Sequence, residues 1–188
     1  MSSRITRQSV QISCAAVGLL AYFAATSGAV AKSDGIETAG NMLAFAMPAA
    51  AGVITLGKGD PDGVLELGFA YAGAVGTTLA LKSVVHEWRP DHSDKRSFPS
   101  GAATSAFASA AYLDKRYGWH YGLPAYALAT FVGYSRVEAD RHHWYDAAAS
   151  ALIGWTFNQF VTTHSEKGVY VEPLVSSDAL GLGLHLRW

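Results

Sequence analysis

Five apolar segments dominate this chain of 188 residues and constrain its fold more than any other feature. They cover about 39–57, 64–85, 100–114, 122–137 and 146–163. All five are rich in Ala, Leu, Gly and Phe, and none has the strict alternation of a half-buried strand. The pattern predicts helices, and the chain is long enough for one domain with a substantial core. We therefore expect an all-α helical bundle.

Turn and capping residues divide the segments. The run GKGDPDG, residues 57–63, predicts a turn between the first two helices. Ser100 is a good N-cap for the third helix, and Asp146 can cap the fifth. Gly118, Gly122 and Pro124 are expected to separate the third helix from the fourth.

The two ends of the chain differ from its middle. In residues 1–31, Arg4 and Arg7 precede an apolar run that ends Ala-Val-Ala, which is typical of a secretory signal peptide. The alternative is an N-terminal membrane anchor, because about 20 apolar residues can span a bilayer. Residues 166–188 contain two alternating stretches, which predict a short C-terminal β-hairpin or extended tail. The helical domain is thus expected over residues 32–165.

Composition narrows the class of protein. Half the residues are hydrophobic, 15% are charged and the net charge is −1, which argues against a nucleic-acid-binding protein. The most apolar stretches are about 13–17 residues long, short for a hydrocarbon core of about 30 Å. This favours a soluble periplasmic domain after signal cleavage. The alternative is an inner-membrane protein with several spans, in which Lys115 and Arg116 lie on the inner side.

Two polar clusters at predicted helix ends are suited to bind an anion. Lys82 and Arg89 lie near the end of the second helix, and two permanent cations suit a phosphoryl group. A basic helix C-terminus without function is the alternative. Ser100 and Gly101 open the third helix and offer a hydroxyl and backbone N–H groups to an anion. Ordinary helix capping is the alternative there.

A third cluster combines Arg136 with His142 and Asp146. His142 and Asp146 are four residues apart, so on one helical turn they share a face. Asp146 can then accept a hydrogen bond from one ring nitrogen of His142, which leaves the other nitrogen free as a nucleophile. Arg136 adds a third cation. A salt-bridged surface loop is the alternative interpretation.

In this order and spacing, Lys-x6-Arg-Pro, Pro-Ser-Gly and Ser-Arg-x5-His-x3-Asp closely resemble the signature of the type-2 phosphatidic acid phosphatase superfamily. Vanadium-dependent haloperoxidases share that signature. The resemblance covers about a third of the chain and implies that superfamily's helical bundle. It also implies a phosphatase that forms a phosphohistidine and needs no metal or other cofactor. By this resemblance His142 would attack phosphorus and Asp146 would orient it. The phosphate would be held by Lys82, Arg89, Ser100, Gly101 and Arg136.

Position 102 departs from the family pattern. The family has a histidine after Pro-Ser-Gly that protonates the leaving oxygen, whereas this chain has Ala102. General acid catalysis is typically worth ~10²–10⁴-fold, so the chain is expected to bind phosphate and turn over poorly. Two explanations are open: a His→Ala substitution in an active phosphatase, or a natural pseudoenzyme that binds phosphate or phospholipid. His86, His92 and His143 are interpreted as loop or packing residues rather than replacement acids.

The resemblance leaves the substrate open between a phosphorylated small molecule and a lipid phosphate, and between a phosphomonoester and a diphosphate. Vanadate held by His142, with haloperoxidase activity, is a further alternative. Whether residues 1–31 are a signal peptide or an anchor, the active site is expected on the periplasmic side of the cell envelope. The segment between Pro90 and Pro99 is expected to form a rim over the site. Its residues Asp91, His92 and Asp94 are interpreted as a solvated polar loop rather than a metal site.

Overall fold

The predicted all-α class of fold is confirmed. The computed structural model describes residues 32–165, 168–176 and 179–187. Within residues 32–165 there are five helices: α1 Lys32–Gly57, α2 Pro61–Val84, α3 Gly101–Tyr117, α4 Trp119–Glu138 and α5 Trp144–Val161. Two strands, β1 Gly168–Ser176 and β2 Ala179–Arg187, pair antiparallel with Gly168 opposite Arg187. The predicted signal peptide or anchor over residues 1–31 lies outside the described residues.

Helix α3 is the centre of the bundle and packs against all four other helices. Its alanines at 103, 106 and 110 are fully buried, and their small side chains allow the neighbouring helices to approach closely. Tyr112 is also fully buried, and its hydroxyl donates to the carbonyl of Gly63 in α2 at 2.9 Å. Because α3 is enclosed, its N-terminus lies at the middle of one end of the bundle.

Close backbone contact holds α5 against α3. A Cβ atom at Gly154 would lie 2.6 Å from the backbone nitrogen of Ala108, so only glycine fits there. One turn later, the Asn158 side-chain amide donates to the carbonyl of Ala108 at 3.0 Å. These contacts set the N-termini of α3 and α5 side by side.

Some predicted helix boundaries are confirmed and others are wrong. Ser100 is the N-cap of α3, as expected, and its hydroxyl accepts from the N–H of Ala103. The break before α4 lies at Gly118, whose φ of 87° favours glycine. Gly122 and Pro124 are inside α4, contrary to the prediction. The N-cap of α5 is His143 rather than Asp146, which lies three residues further on.

A buried ionic cluster closes the end of the bundle opposite the α3 N-terminus. Arg116, whose side chain is 7% exposed, donates to both carboxylate oxygens of Asp60 at 2.6 and 2.8 Å. It also donates to Glu66 at 3.1 Å and to the hydroxyl of Thr163 at 2.8 Å. The cluster therefore joins the α1–α2 turn to the chain that follows α5.

The helices are longer than the sequence suggested, and their outer faces are apolar. They contain 17–26 residues, whereas their most apolar stretches contain about 13–17. The segments Gly35–Gly57 and Pro61–Val84 are long and apolar enough to cross a membrane, by length and composition. Helix length therefore no longer favours a soluble domain. Large apolar side chains are exposed around the bundle: Phe45, Val53, Leu56, Leu65, Phe69, Leu79, Leu123, Leu152 and Phe160.

Candidate active site

All three predicted polar clusters lie at the same end of the bundle. Helix α2 ends there and α3 begins there, and the same holds for α4 and α5. The two connecting segments touch, because the N–H of Asp91 donates to the carbonyl of Asp140 at 3.2 Å. The backbone N–H of His142 also donates to the carbonyl of Arg136 at 3.2 Å. The fold therefore brings the separate motifs together.

His142 is held by its Nδ1 atom. Its side chain is 7% exposed, and Nδ1 lies 2.7 Å from the carbonyl oxygen of Ser97 and 3.5 Å from Oδ2 of Asp146. A carbonyl oxygen can only accept, so the hydrogen is assigned to Nδ1. In the neutral ring Nε2 then carries the free lone pair, which is the state that a nucleophile requires.

Asp146 is fully buried and is shared by several donors. Its Oδ2 accepts from the hydroxyl of Ser97 at 2.5 Å and from the backbone N–H of His143 at 2.9 Å. Its Oδ1 has no hydrogen-bond partner among the residues that the structure describes. Ser97 thus contacts both members of the predicted pair: its carbonyl holds His142 and its hydroxyl holds Asp146.

Burial and neighbouring charges change the pKa of His142. Burial lowers the pKa of the His142 ring below its usual 6.5, and the positive charges of Lys82 and Arg89 lower it further. The hydrogen bond with Asp146 opposes this change without reversing it. The ring is therefore neutral at physiological pH. Lys82 lies near the ring, because its ammonium and Nδ1 of His142 both contact the carbonyl oxygen of Ser97.

Lys82 and Arg89 are fixed by the segment that joins α2 to α3. The ammonium of Lys82 donates to the carbonyl of Arg96 at 2.7 Å and has a longer contact of 3.4 Å with the carbonyl of Ser97. Nε of Arg89 donates to Asp94 at 2.8 Å, and the side chain is 21% exposed. Both cations are therefore held by the same connecting segment, and their convergence on one phosphate stays a prediction.

Ser100 and Gly101 form the start of α3 beside these cations. Ser100 is fully buried and caps the helix. Its carbonyl also accepts a hydrogen bond from the Ser150 hydroxyl at 2.9 Å. The N–H groups of Gly101 and Ala102 belong to the first turn, which has no intrahelical acceptors for them. Such a turn favours an anion. The side chain at 102 is a methyl group and carries no proton donor.

Arg136 is bound differently from the other two cations. Its side chain is almost fully buried and donates to the Glu37 carbonyl at 2.6 Å and the Asn41 amide oxygen at 2.8 Å, both in α1. Its carbonyl accepts the backbone N–H of His142 at 3.2 Å, so the backbone of Arg136 lies beside that of the histidine. Its contact with phosphate stays a prediction.

The acidic groups near the site are occupied by hydrogen bonds. Asp91 pairs with Arg141 at 3.1 Å, and Asp94 pairs with Arg89. One atom each from Glu87, His143 and Asp146 lie within 4.8 Å of one another. The hydroxyl of Tyr145 donates to Glu87, and Ser97 donates to Asp146. We therefore interpret this trio as a hydrogen-bonded cluster and not as metal ligands.

The sequence analysis interprets His143 as a loop or packing residue, but in the structure it also contacts polar groups of the site. Its Nδ1 lies 3.5 Å from Oδ2 of Asp146 and 3.4 Å from the hydroxyl of Ser97. Its ring stacks on Tyr145, with centroids 4.9 Å apart. By contrast, His86 and His92 are exposed, as expected for loop residues.

Sequence reasoning missed the residues that hold the functional side chains. Ser97 lies two positions before the Pro-Ser-Gly motif, and that proximity is its only sequence signal. Glu37 and Asn41 bind Arg136 from α1, nearly 100 positions earlier in the chain. They are polar residues at the edge of an apolar segment, which the sequence alone does not connect with a distant arginine.

The profile of the PAP2 superfamily matches residues 63–168, which is just over half of the chain and includes all three motifs. The chain belongs to the PAP2 superfamily. This membership confirms the predicted family, which is the type-2 phosphatidic acid phosphatase superfamily.

Individual PAP2 relatives are phosphatases by name. The chain is 31% identical to the lipid A 4'-phosphatase of Helicobacter pylori over 170 residues, covering 81% of this chain and 85% of the relative. It is 32% identical to the lipid A 1-phosphatase of Porphyromonas gingivalis over 124 residues, covering 64% of this chain and 26% of that larger relative. The crystal structure of Aquifex aeolicus LpxE matches with a TM-score of 0.58 at 22% identity, covering 76% of this chain and 93% of LpxE. That likeness supports the PAP2 bundle alone.

Proposed function

We propose that this PAP2 protein is a membrane-embedded phosphatase that removes phosphate from a phosphorylated lipid through a phosphohistidine at His142. The observation that carries the proposal is the state of His142. Its Nδ1–H is bound to the Ser97 carbonyl beside Asp146, and its Nε2 has no hydrogen-bond partner among the described residues. The charges of Lys82 and Arg89 lower the pKa of the ring. The names of the relatives support a phosphorylated glycolipid such as lipid A as the first substrate to test.

The site residues support a two-step reaction. Nε2 of His142 attacks phosphorus, the bond from phosphorus to the leaving oxygen breaks, and its electron pair stays on that oxygen. Lys82, Arg89 and the N–H of Gly101 stabilise the negative charge on the phosphoryl oxygens. Asp146 and the Ser97 carbonyl stabilise the positive charge that grows on the ring. Water then attacks phosphorus, and the nitrogen–phosphorus bond breaks to restore His142.

Ala102 sets the expected rate of the first step. An alkoxide leaves poorly without a proton, and the residue at 102 has none to give. We therefore propose slow turnover of alkyl phosphates. Without another donor, Ala102→His should raise the rate at least ~10²-fold. A phosphate-binding protein without turnover is the second candidate, which the same alanine favours. Any hydrolysis that depends on His142 contradicts that second candidate.

The outer surface supports an embedded bundle rather than the soluble periplasmic form. Trp88 and Trp144 are exposed at the site end and Trp119 at the opposite end, and such aromatic residues are enriched at the two membrane interfaces. Helix α4 has 20 residues, which gives a length of about 30 Å and matches the hydrocarbon core. Lys58 and Lys115 lie at the end opposite the site, so we place that end inside and the site on the periplasmic side.

The test uses the full-length protein purified in detergent. Phosphate release is measured from lipid A, from phosphatidic acid and from para-nitrophenyl phosphate in mixed micelles. We expect release by the native chain, loss in His142→Ala, and no change in His120→Gln, a histidine at the far end of the bundle. Full activity in His142→Ala refutes the mechanism. Recovery of the protein in the aqueous phase without detergent refutes the membrane location.

A further inference from the structure

We propose that His143 is the proton donor of this site and does the work of the histidine that position 102 lacks. The inference rests on the proposed phosphatase function. It follows from an arrangement that the family resemblance does not include: two neighbouring histidines anchored on one carboxylate.

The anchoring carboxylate oxygen is Oδ2 of Asp146. Nδ1 of His142 and Nδ1 of His143 each lie 3.5 Å from it, so the two Nδ1 atoms are separated by at most twice that distance. The hydroxyl of Ser97 lies 2.5 Å from the same oxygen and 3.4 Å from Nδ1 of His143. The second imidazole is therefore part of the nucleophile's own hydrogen-bond network.

The His143 ring is also held in a fixed plane. It stacks nearly parallel on Tyr145, with an interplanar angle of 6°. Its side chain is 31% exposed, whereas that of His142 is 7% exposed. Since Nδ1 faces buried partners, the exposed part of the ring is the edge that carries Nε2. Nε2 of His143 can therefore exchange its proton with solvent while Nδ1 stays beside Asp146 and Ser97.

Other donors near the motifs are less suited. Nδ1 of His86 contacts the carbonyl of Val84, and His92 makes an edge contact with the ring of Trp88. Within residues 35–165, neither forms a hydrogen bond or ion pair with Asp146 or Ser97. The hydroxyl of Tyr145 is already donated to Glu87. His143 is the candidate that shares partners with the nucleophile.

The proton balance is complete without another reactant. The reactive form of His143 carries a proton on each ring nitrogen. As His142 attacks phosphorus, the electron pair of the breaking phosphorus–oxygen bond passes to the leaving oxygen, which takes the Nε2 proton of His143. His143 is then neutral. In the second step water attacks the phosphohistidine, and Nε2 of His143 accepts the water proton. The nitrogen–phosphorus electron pair returns to His142, phosphate departs, and both histidines regain their starting states.

The test compares leaving groups in pre-steady-state experiments on the detergent-purified, full-length chain. Nitrophenolate leaves without a proton, whereas an alkoxide needs one. We expect His143→Gln to lower the rate of alkyl phosphate cleavage at least ~10-fold and to change the nitrophenol burst less than about threefold. His86→Gln is the matched control and should change neither. In the His143→Gln background, Ala102→His should raise alkyl phosphate cleavage at least ~10²-fold, and in the native background less than that.

Each other outcome contradicts the proposal. Equal losses on both leaving groups assign His143 only a structural role, and no loss on either leaves it without a role in the first step. Equal gains from Ala102→His in both backgrounds also overturn it. Loss of all turnover in His142→Ala, with any of these results, leaves the phosphohistidine function intact. Persistence of turnover in His142→Ala overturns the function itself.

Discussion

Replacing Ser97 with alanine removes one hydroxyl from the interior of the site and leaves the backbone unchanged. The Ser97 carbonyl still holds Nδ1 of His142 at 2.7 Å. What is lost is the 2.5 Å hydrogen bond to Asp146, a fully buried carboxylate whose other oxygen has no partner among the described residues. Asp146 then keeps its hydrogen bond from the backbone N–H of His143, at 2.9 Å.

A hydrogen bond to a charged group contributes about 1.5–3 kcal/mol. If this contribution is realised in the transition state, where the ring of His142 becomes positive, Ser97→Ala should slow phosphorylation of His142 by about 10- to 100-fold. The assay is the pre-steady-state nitrophenol burst with substrate in excess over protein, because it reports the first step alone. Thermal unfolding in the same detergent shows whether the variant is folded.

Ser109→Ala is the matched control. Ser109 is also fully buried in α3, but its hydroxyl donates to the Ser105 carbonyl in its own helix at 2.9 Å. We expect its burst rate to stay within about twofold of the native rate, because a neutral hydrogen bond contributes only about 1 kcal/mol, and here to stability alone. A Ser97→Ala burst within twofold of the native rate in a folded protein would show that Asp146 is held without this hydroxyl.

Two further predictions concern packing and pH. Gly154→Ala forces a methyl group against the backbone of Ala108 and should destabilise the bundle by about 1–3 kcal/mol. Thermal unfolding measures the change. Gly76→Ala is the control, because open space surrounds Gly76, and it should leave stability unchanged or raise it. Since burial and nearby cations lower the pKa of His142, its neutral form persists below pH 6.5, so the acid limb of kcat/KM should lie below that pH. Arg89→Gln removes one of those cations, raises this pKa and should move the limb towards 6.5; a limb that does not move would contradict the assignment of His142 as the titrating nucleophile.

The sequence predicted the helices because their apolar composition is local information. It also predicted that distant motifs meet, since Pro90 and Ser100 mark helix ends at which polar residues gather. It did not predict the helix lengths: α1 begins at Lys32 and runs through polar residues before its apolar segment. Tertiary contacts extend helices beyond their most hydrophobic stretch, and a hydropathy pattern does not report those contacts.

Partners of the site residues were harder to foresee than the residues themselves. The His142–Asp146 pair follows from a spacing of four on one turn. That Ser97 joins the pair depends on the path of the segment between α2 and α3, which no local periodicity encodes. The same holds for Arg136, which binds α1 through Glu37 and Asn41. Contacts between residues far apart in sequence are set by how the helices pack.

The ionic cluster around Arg116 makes the two ends of the bundle mechanically unequal. Asp60, Glu66 and Thr163 bring the helix ends on that side together through one buried guanidinium. The end that carries His142 also contains a buried guanidinium, that of Arg136, but its side chain joins only α4 to α1. Under the proposed lipid phosphatase function, we therefore expect a large headgroup to separate the helices more at the His142 end than at the Arg116 end.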